Sequence, residues 1–275
     1  MTNRYTKAFD NARKRGGAAF IPFAVAGDPN PDAFIEVIAA YVKGGADVLE
    51  IGYPFSDPIA DGPVNQRASQ RAIEAGFDHQ TFFTLIKNIR AFTDIPIGLL
   101  TYANTVNHLG NDAFCKKAAN AGIDSILVAD MPPEESHALG KSMRKYGIGR
   151  VFIVSEFTPD ERMRYICGFI DSFVYVVSRP GITGVDTTLS ASVKTTLARL
   201  KRITDKPAAV GFGISTPEHA REVTKCGADG VIVGSALVTE IEKSVQKGVS
   251  PYNILKKKVS LLKAGTMTAK RKPIP

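Results

Sequence analysis

Runs of consecutive aliphatic residues alternate along this chain with longer segments whose apolar positions return every third or fourth residue. The first pattern is that of a strand buried on both faces, the second that of a helix with one covered side. Strands are predicted near 18–24, 48–51, 97–100, 125–129, 149–154, 172–177, 207–211 and 230–233. Helices are predicted between them near 32–43, 64–92 (interrupted around Gly76), 111–120, 134–146, 159–167, 188–202 and 216–225. An amphipathic helix over 3–14, with Tyr5, Ala8, Phe9 and Ala12 on one side, precedes the first strand. A short helix from Ser235, a break at 248–251 and a last helix over 252–264 follow the eighth. Pro22 belongs near a strand end or a bulge, because it has no N–H to give a ladder.

A local motif recurs before three strands: Gly45-Ala46-Asp47, Gly122-Ile123-Asp124 and Gly227-Ala228-Asp229. In each a helix stops at glycine and an aspartate turns the chain into an aliphatic run, the punctuation of a repeated strand–helix unit. Eight such units predict a parallel sheet covered by helices. A doubly wound sheet suits the pattern, but eight units in this length favour a closed TIM (β/α)8 barrel. Residues 1–264 are expected to form one barrel domain, and 265–275 a basic, mobile tail.

Composition narrows the class. Of 275 residues 44% are hydrophobic, ample for a large core, and no apolar run approaches the ~20 residues of a membrane span. No apolar stretch follows the charges at the start, so no secretory signal is expected. Cys115, Cys167 and Cys226 are scattered and outside any CxxC, which suggests reduced thiols in a cytoplasm. The net charge of +8 resides in residues 241–275, where nine Lys/Arg face a single Glu242; the rest of the chain is neutral. A nucleic-acid binder is expected to carry its positive face on the folded body, so that class is disfavoured.

Against this frame one apolar run is anomalous. Glu50 interrupts 48–51, and a loop rich in Gly and Pro follows, holding Asp57 and Asp61. An unpaired ionised glutamate costs several kcal/mol to bury, so Glu50 is either ion-paired or used. Burial raises its pKa, which suits a group that gives and takes a proton. Asp28 and Asp57 sit beside prolines, where turn formation is the ordinary duty of an aspartate. At the far end, loops 211–215 and 234–235 follow the last two strands, and loop 181–184 follows the sixth. Glycine loops and a helix start at those places form phosphate sites in such barrels. Phe23, Leu100, Tyr102, Ala129, Ile153, Tyr175 and Phe212 at strand ends fit a flat apolar pocket, although the case for ordinary core is stronger for Leu100 and Ile153 than for Tyr102 and Tyr175. His79 and His219 fall in helices; His108 and His137 fall near loops, without partners at metal-ligand spacing, so no metal is expected. No lysine interrupts a strand, so cleavage of a carbon–carbon bond needs an electron sink within the substrate.

Residues 49–63 (LEIGYPFSDPIADGP), 96–104 (PIGLLTYAN), 178–184 (SRPGITG), 210–215 (VGFGIS) and 231–236 (VIVGSA) resemble, in order, the alpha-subunit family of tryptophan synthase. The resemblance implies a cofactor-free lyase that splits indole-3-glycerol phosphate into indole and D-glyceraldehyde 3-phosphate, the last stage of tryptophan biosynthesis. It implies that Glu50 protonates the indole carbon and takes the side-chain hydroxyl proton, that Asp61 accepts the indole N–H, and that Tyr175 lies nearby. Gly184, Gly213, Gly234 and Ser235 match phosphate-binding positions. Loops 53–61 and 179–187 resemble two lids, the second with Arg179 and with Thr183, which matches a residue that bonds the aspartate on closure. The implied partner is a PLP-dependent beta subunit in an α2β2 complex, met through Asp57, Asn104 and Pro132. Pro180 departs from the family's pattern and stiffens the second lid. Two other readings stand beside it: a related phosphorylated-intermediate barrel, which wants a lysine at its mouth, and a weak enzyme that mainly switches a partner.

Overall fold

In the computed structural model, which describes residues 3–177, 187–211 and 213–267, the aliphatic runs become the strands of one parallel sheet. They are β1 (Ala19–Val25), β2 (Leu49–Gly52), β3 (Ile97–Thr101), β4 (Ser125–Val128), β5 (Gly149–Arg150), β6 (Phe152–Ser155), β7 (Val174–Val177), β8 (Ala208–Gly211) and β9 (Gly230–Val233). Their order is β5-β4-β3-β2-β1-β9-β8-β7-β6. The two outermost, β5 and β6, are halves of a single expected strand that breaks at Val151, whose N–H still reaches the Ile126 carbonyl at 3.2 Å. The sheet thus comes round on itself as a (β/α)8 barrel with its fifth strand split.

The helices are α1 (Asn3–Lys14), α2 (Pro31–Gly44), α3 (Pro63–Glu74), α4 (His79–Arg90), α5 (Ala103–Leu109), α6 (Asn111–Ala121), α7 (His137–Lys145), α8 (Asp160–Phe169), α9 (Thr187–Lys201), α10 (Pro217–Lys225), α11 (Ser235–Gln246) and α12 (Tyr252–Gly265). The sequence pattern misses α5, whose two turns are too short for apolar periodicity to declare itself. His108 therefore lies in a helix, as does His137 at the start of α7.

The Gly-x-Asp motif explains how strands stay in register. Gly45, Gly122 and Gly227 take φ of 100°, 100° and 103°, the left-handed conformation that stops a helix. The aspartate two residues on then accepts from a backbone N–H at the start of the adjoining strand. Asp47 takes Phe20 N–H at 2.8 Å, Asp124 takes Ile97 N–H at 2.9 Å and Asp229 takes Ala208 N–H at 3.1 Å.

Alternation along each strand sorts the core. Phe20, Ala24, Leu49 and Ile51 face the helices in one large cluster, while Ile21, Val48, Leu127, Val151, Phe173, Ala209 and Ile232 fill the barrel. α1 closes the amino-terminal end, with Tyr5 and Phe9 packed on Phe173 and the Tyr5 hydroxyl 2.7 Å from Ser125 Oγ. Pro22 lies in mid-strand, not at an end or bulge. It falls where the ladder to β9 stops, at Pro22 opposite Val233, and the ladder to β2 starts, at Phe23 opposite Glu50. A missing N–H is least costly at such a handover.

The ordered body also runs past the expected boundary at 264. Thr266 is buried, its carbonyl accepts from Ala18 N–H at 3.0 Å, and Met267 bridges Gly17. Residues 268–275 lie outside the described residues.

Candidate active site

Strand register sets the site. β2 places Glu50 inside the barrel between Phe23 of β1 and Gly98 of β3. The loop from Gly52 to α3 then returns Asp61 to the same pocket, which encloses about 320 Å³ at the carboxyl ends of the strands. Its walls include Phe23, Leu100, Tyr102, Ala129, Ile153 and Tyr175, with Gly213, Gly234 and Ser235 at one end. A larger hollow of about 810 Å³ lies at the opposite end, between α1 and the strand starts. It is lined by charged groups such as Arg4, Lys7, Arg15 and Asp94 and holds none of these side chains.

The two carboxyl groups live in different surroundings. Glu50 is 6% exposed, and among the described residues no hydrogen-bond donor reaches it. Burial, reinforced by the negative charge of Asp61, pushes its pKa up to about 8. Asp61 is also raised by burial, but two donors hold it back. The Tyr102 hydroxyl donates to its Oδ2 at 2.8 Å and Asn65 Nδ2 to its Oδ1 at 3.4 Å. Tyr102 is itself fixed, stacked on Phe55 at 5.1 Å and accepting the Ala60 N–H at 3.1 Å. Glu50 thus keeps its proton at neutral pH, while the two hydrogen bonds that Asp61 accepts favour its ionised form against burial, a difference in surroundings of the kind that acid–base chemistry uses.

Tyr175 enters from β7 across the barrel. Burial and the charges of Glu50 and Asp61 raise its pKa well above the ordinary value, so its hydroxyl stays neutral. Its ring fits because the next strand offers Gly211, where a Cβ would lie 2.6 Å from the hydroxyl. At the far end α11 starts at Ser235 with Gly234 as cap and no side chain on its first N–H groups. A helix start of this kind offers unpaired donors and a favourable dipole to an anion.

Every candidate pocket residue within the described chain thus converges on one cavity. Ile153, for which core is a stronger reading than for Tyr102 or Tyr175, is 38% exposed and faces it. Arg179, Pro180, Thr183, Gly184 and Phe212, with positions 179–186 of the expected lid, lie outside the described residues; Thr187 opens α9. Asp57, Asn104 and Pro132 stand exposed outside the pocket. Asp57 lines an outer groove of about 540 Å³ beside Ile59, which is 82% exposed. Sequence reasoning missed Val64, Asn65, Val177, Ile214 and Ile232 among the lining residues. Alternation alone points to Val177 and Ile232, each two places beyond an inward-facing residue or two before Gly234; Asn65 carries no such signal. Asp28 was assigned only a turn. It is fully buried and takes two bonds from Arg71, at 2.8 and 3.0 Å. Arg71 also reaches Glu242 of α11 at 3.1 Å, tying α3 to the helix that begins at Ser235. Among the described residues no group of three or more His, Cys, Asp or Glu is placed to hold a metal ion, and no helix is long and apolar enough to cross a membrane.

Comparison with known proteins adds a family to this geometry. The family model described as tryptophan synthase alpha chain matches residues 9–267. A tryptophan synthase alpha chain of Methanoregula boonei is 44% identical over 250 residues, 91% of this chain and 94% of that one. One from Francisella tularensis is 41% identical over 268 residues, 97% of this chain and all of its own. Among solved structures, tryptophan synthase subunit alpha from Legionella pneumophila superposes with a TM-score of 0.87 at 32% identity, covering 97% of this chain and 99% of that one. Tryptophan synthase of Mycobacterium tuberculosis gives a TM-score of 0.87 at 29% identity, over 98% of this chain and 100% of that one.

Proposed function

The chain belongs to the tryptophan synthase alpha chain family, and from that premise we propose how its barrel mouth cleaves indole-3-glycerol phosphate to indole and D-glyceraldehyde 3-phosphate. The observation that carries the assignment of roles is the pairing of a buried, proton-holding Glu50 with a hydrogen-bonded Asp61 in one apolar pocket.

The indole ring lies among Phe23, Leu100, Tyr102, Ala129 and Ile153, and the phosphate meets the start of α11 at Gly234 and Ser235 with Gly213 beside it. Glu50, as the acid, gives its proton to the ring carbon that bears the side chain. Positive charge then develops on the ring nitrogen, whose N–H donates to the Asp61 carboxylate. Glu50, now a carboxylate, takes the proton of the side-chain hydroxyl next to the bond that breaks. The electrons of the carbon–carbon bond return to the ring, a carbonyl forms on the departing fragment, and indole and the aldehyde result. The protonated ring is the electron sink, so the step asks no cofactor of this chain. A pKa near 8 lets one group perform both transfers near neutral pH.

The indole product is handed to a beta subunit that uses PLP and L-serine to make L-tryptophan. Asp57 and Pro132 on exposed loops, with Asn104 exposed in the first turn of α5, form the docking face of an α2β2 complex. A cytoplasmic biosynthetic role follows from this chemistry. The test is release of glyceraldehyde 3-phosphate by wild type and Glu50→Gln. A loss of more than about a hundredfold in kcat is expected, in line with removal of a general acid–base group; activity within about tenfold of wild type sinks the assignment.

A further inference from the structure

The loop that carries Asp61 is held at its far end by Tyr102 of the pocket and at its near end by side chains that the chemistry above does not use. At its near end Tyr53, 9% exposed, follows β2, and its hydroxyl lies 2.7 Å from His79 Nδ1 at the start of α4. The Tyr53 ring is wedged edge-on to Phe77 at 5.2 Å and tilted against Phe82 at 4.8 Å. His79 stacks almost flat on His108 of α5, with centroids 4.9 Å apart and planes 10° from parallel. α5 starts directly after its cap residue Tyr102, whose hydroxyl donates to Asp61 at the far end of the loop. The contacts close on themselves: Tyr53 to His79, His79 to His108, along α5 to Tyr102, and from Tyr102 to Asp61.

We propose that Tyr53, His79 and His108 are positioning residues for Asp61, bracing the loop over 53–61 from outside the pocket and slackening when the histidine pair gains charge. The proposal rests on the reading of Asp61 as the group that steadies charge on the ring. In its Nε2–H tautomer a neutral His79 accepts a hydrogen bond from the Tyr53 hydroxyl at Nδ1; a protonated His79 donates there and makes Tyr53 the acceptor. Charging both rings also sets like charges 4.9 Å apart. The groups facing His79 point the same way: Lys117 of α6 adds positive charge, and among the described residues Asp78, the α4 cap, opposes it. Burial, His108 and Lys117 together hold His79 below the usual imidazole range, which disfavours its protonation.

Steady-state kinetics from pH 5.5 to 9 on folded, thermally characterised variants test the brace. Tyr53→Phe keeps the packed ring and removes the hydroxyl. It is expected to lower kcat about tenfold with KM within about twofold, because a small displacement of a charge-stabilising group acts on the transition state. In an Asp61→Asn background the same change is expected to have no further effect, since residues that act as a unit are not additive. His108→Phe keeps a stacked ring without its charge and is expected to move the acid-side fall of kcat to lower pH. Wild-type kcat for Tyr53→Phe at every pH, or an equal penalty with and without Asp61, overturns the brace while leaving the site reading intact. Full activity of Asp61→Asn itself instead overturns that reading, and the brace with it.

Discussion

Glu50 is readable from sequence because an acid in an aliphatic run violates the pattern around it, and burial then dictates the direction of its pKa. Tyr53, His79 and Asn65 offer no such violation; each is ordinary where it stands and acquires meaning only from partners brought in by the fold. Glu50 also carries a stability signature. Its folded pKa of about 8 lies above the ordinary 4.5, so folding favours the protonated form. The stability this lends is fully present below pH 4.5 and is lost as pH rises towards 8, at roughly 1.4 kcal/mol per unit of pH crossed. Glu50→Gln removes the titration. Its melting temperature relative to wild type is therefore expected to climb by several degrees between pH 5 and 8 and then level off; a constant difference in parallel thermal melts contradicts this.

At the scale of elements, aliphatic runs and the Gly-x-Asp motif declare the strands because both are local. The split of the fifth strand at Val151 and the two turns of α5 do not declare themselves, the first depending on how the sheet closes and the second being too short for periodicity. The Asp28–Arg71–Glu242 network was hidden for another reason. Asp28 and Arg71 are 43 residues apart, and an aspartate beside proline reads as a turn. In the structure this network locks α3, which follows the Asp61 loop, to α11, which starts at Ser235 on the pocket wall. Arg71→Met strands a fully buried Asp28 carboxyl, and urea unfolding is expected to register a loss of about 3 kcal/mol. Asp28→Asn in the Arg71→Met background restores part of it; no loss in the single variant removes the network from the account of stability.

For the molecule as a whole, the barrel and its mouth were within reach of the sequence, since the strand–helix repeat and the glycine loops are sequential features. The outer face was not, because exposure is a property of the finished surface. Ile59, 82% exposed beside Asp57, is the large apolar side chain of that face, two residues from Asp61. In titrations with a beta subunit, Ile59→Glu is expected to weaken association by about tenfold or more, as loss of an apolar anchor in an interface does; unchanged association moves the docking face elsewhere. The central claim concerns one proton, held by a buried carboxyl at the barrel mouth and available at neutral pH. Carbon-13 NMR of protein labelled at glutamate carboxyls, compared with Glu50→Gln, reads it directly. The account predicts one resonance, absent from the variant, with a midpoint near pH 8; a Glu50 midpoint in the ordinary carboxylate range contradicts it.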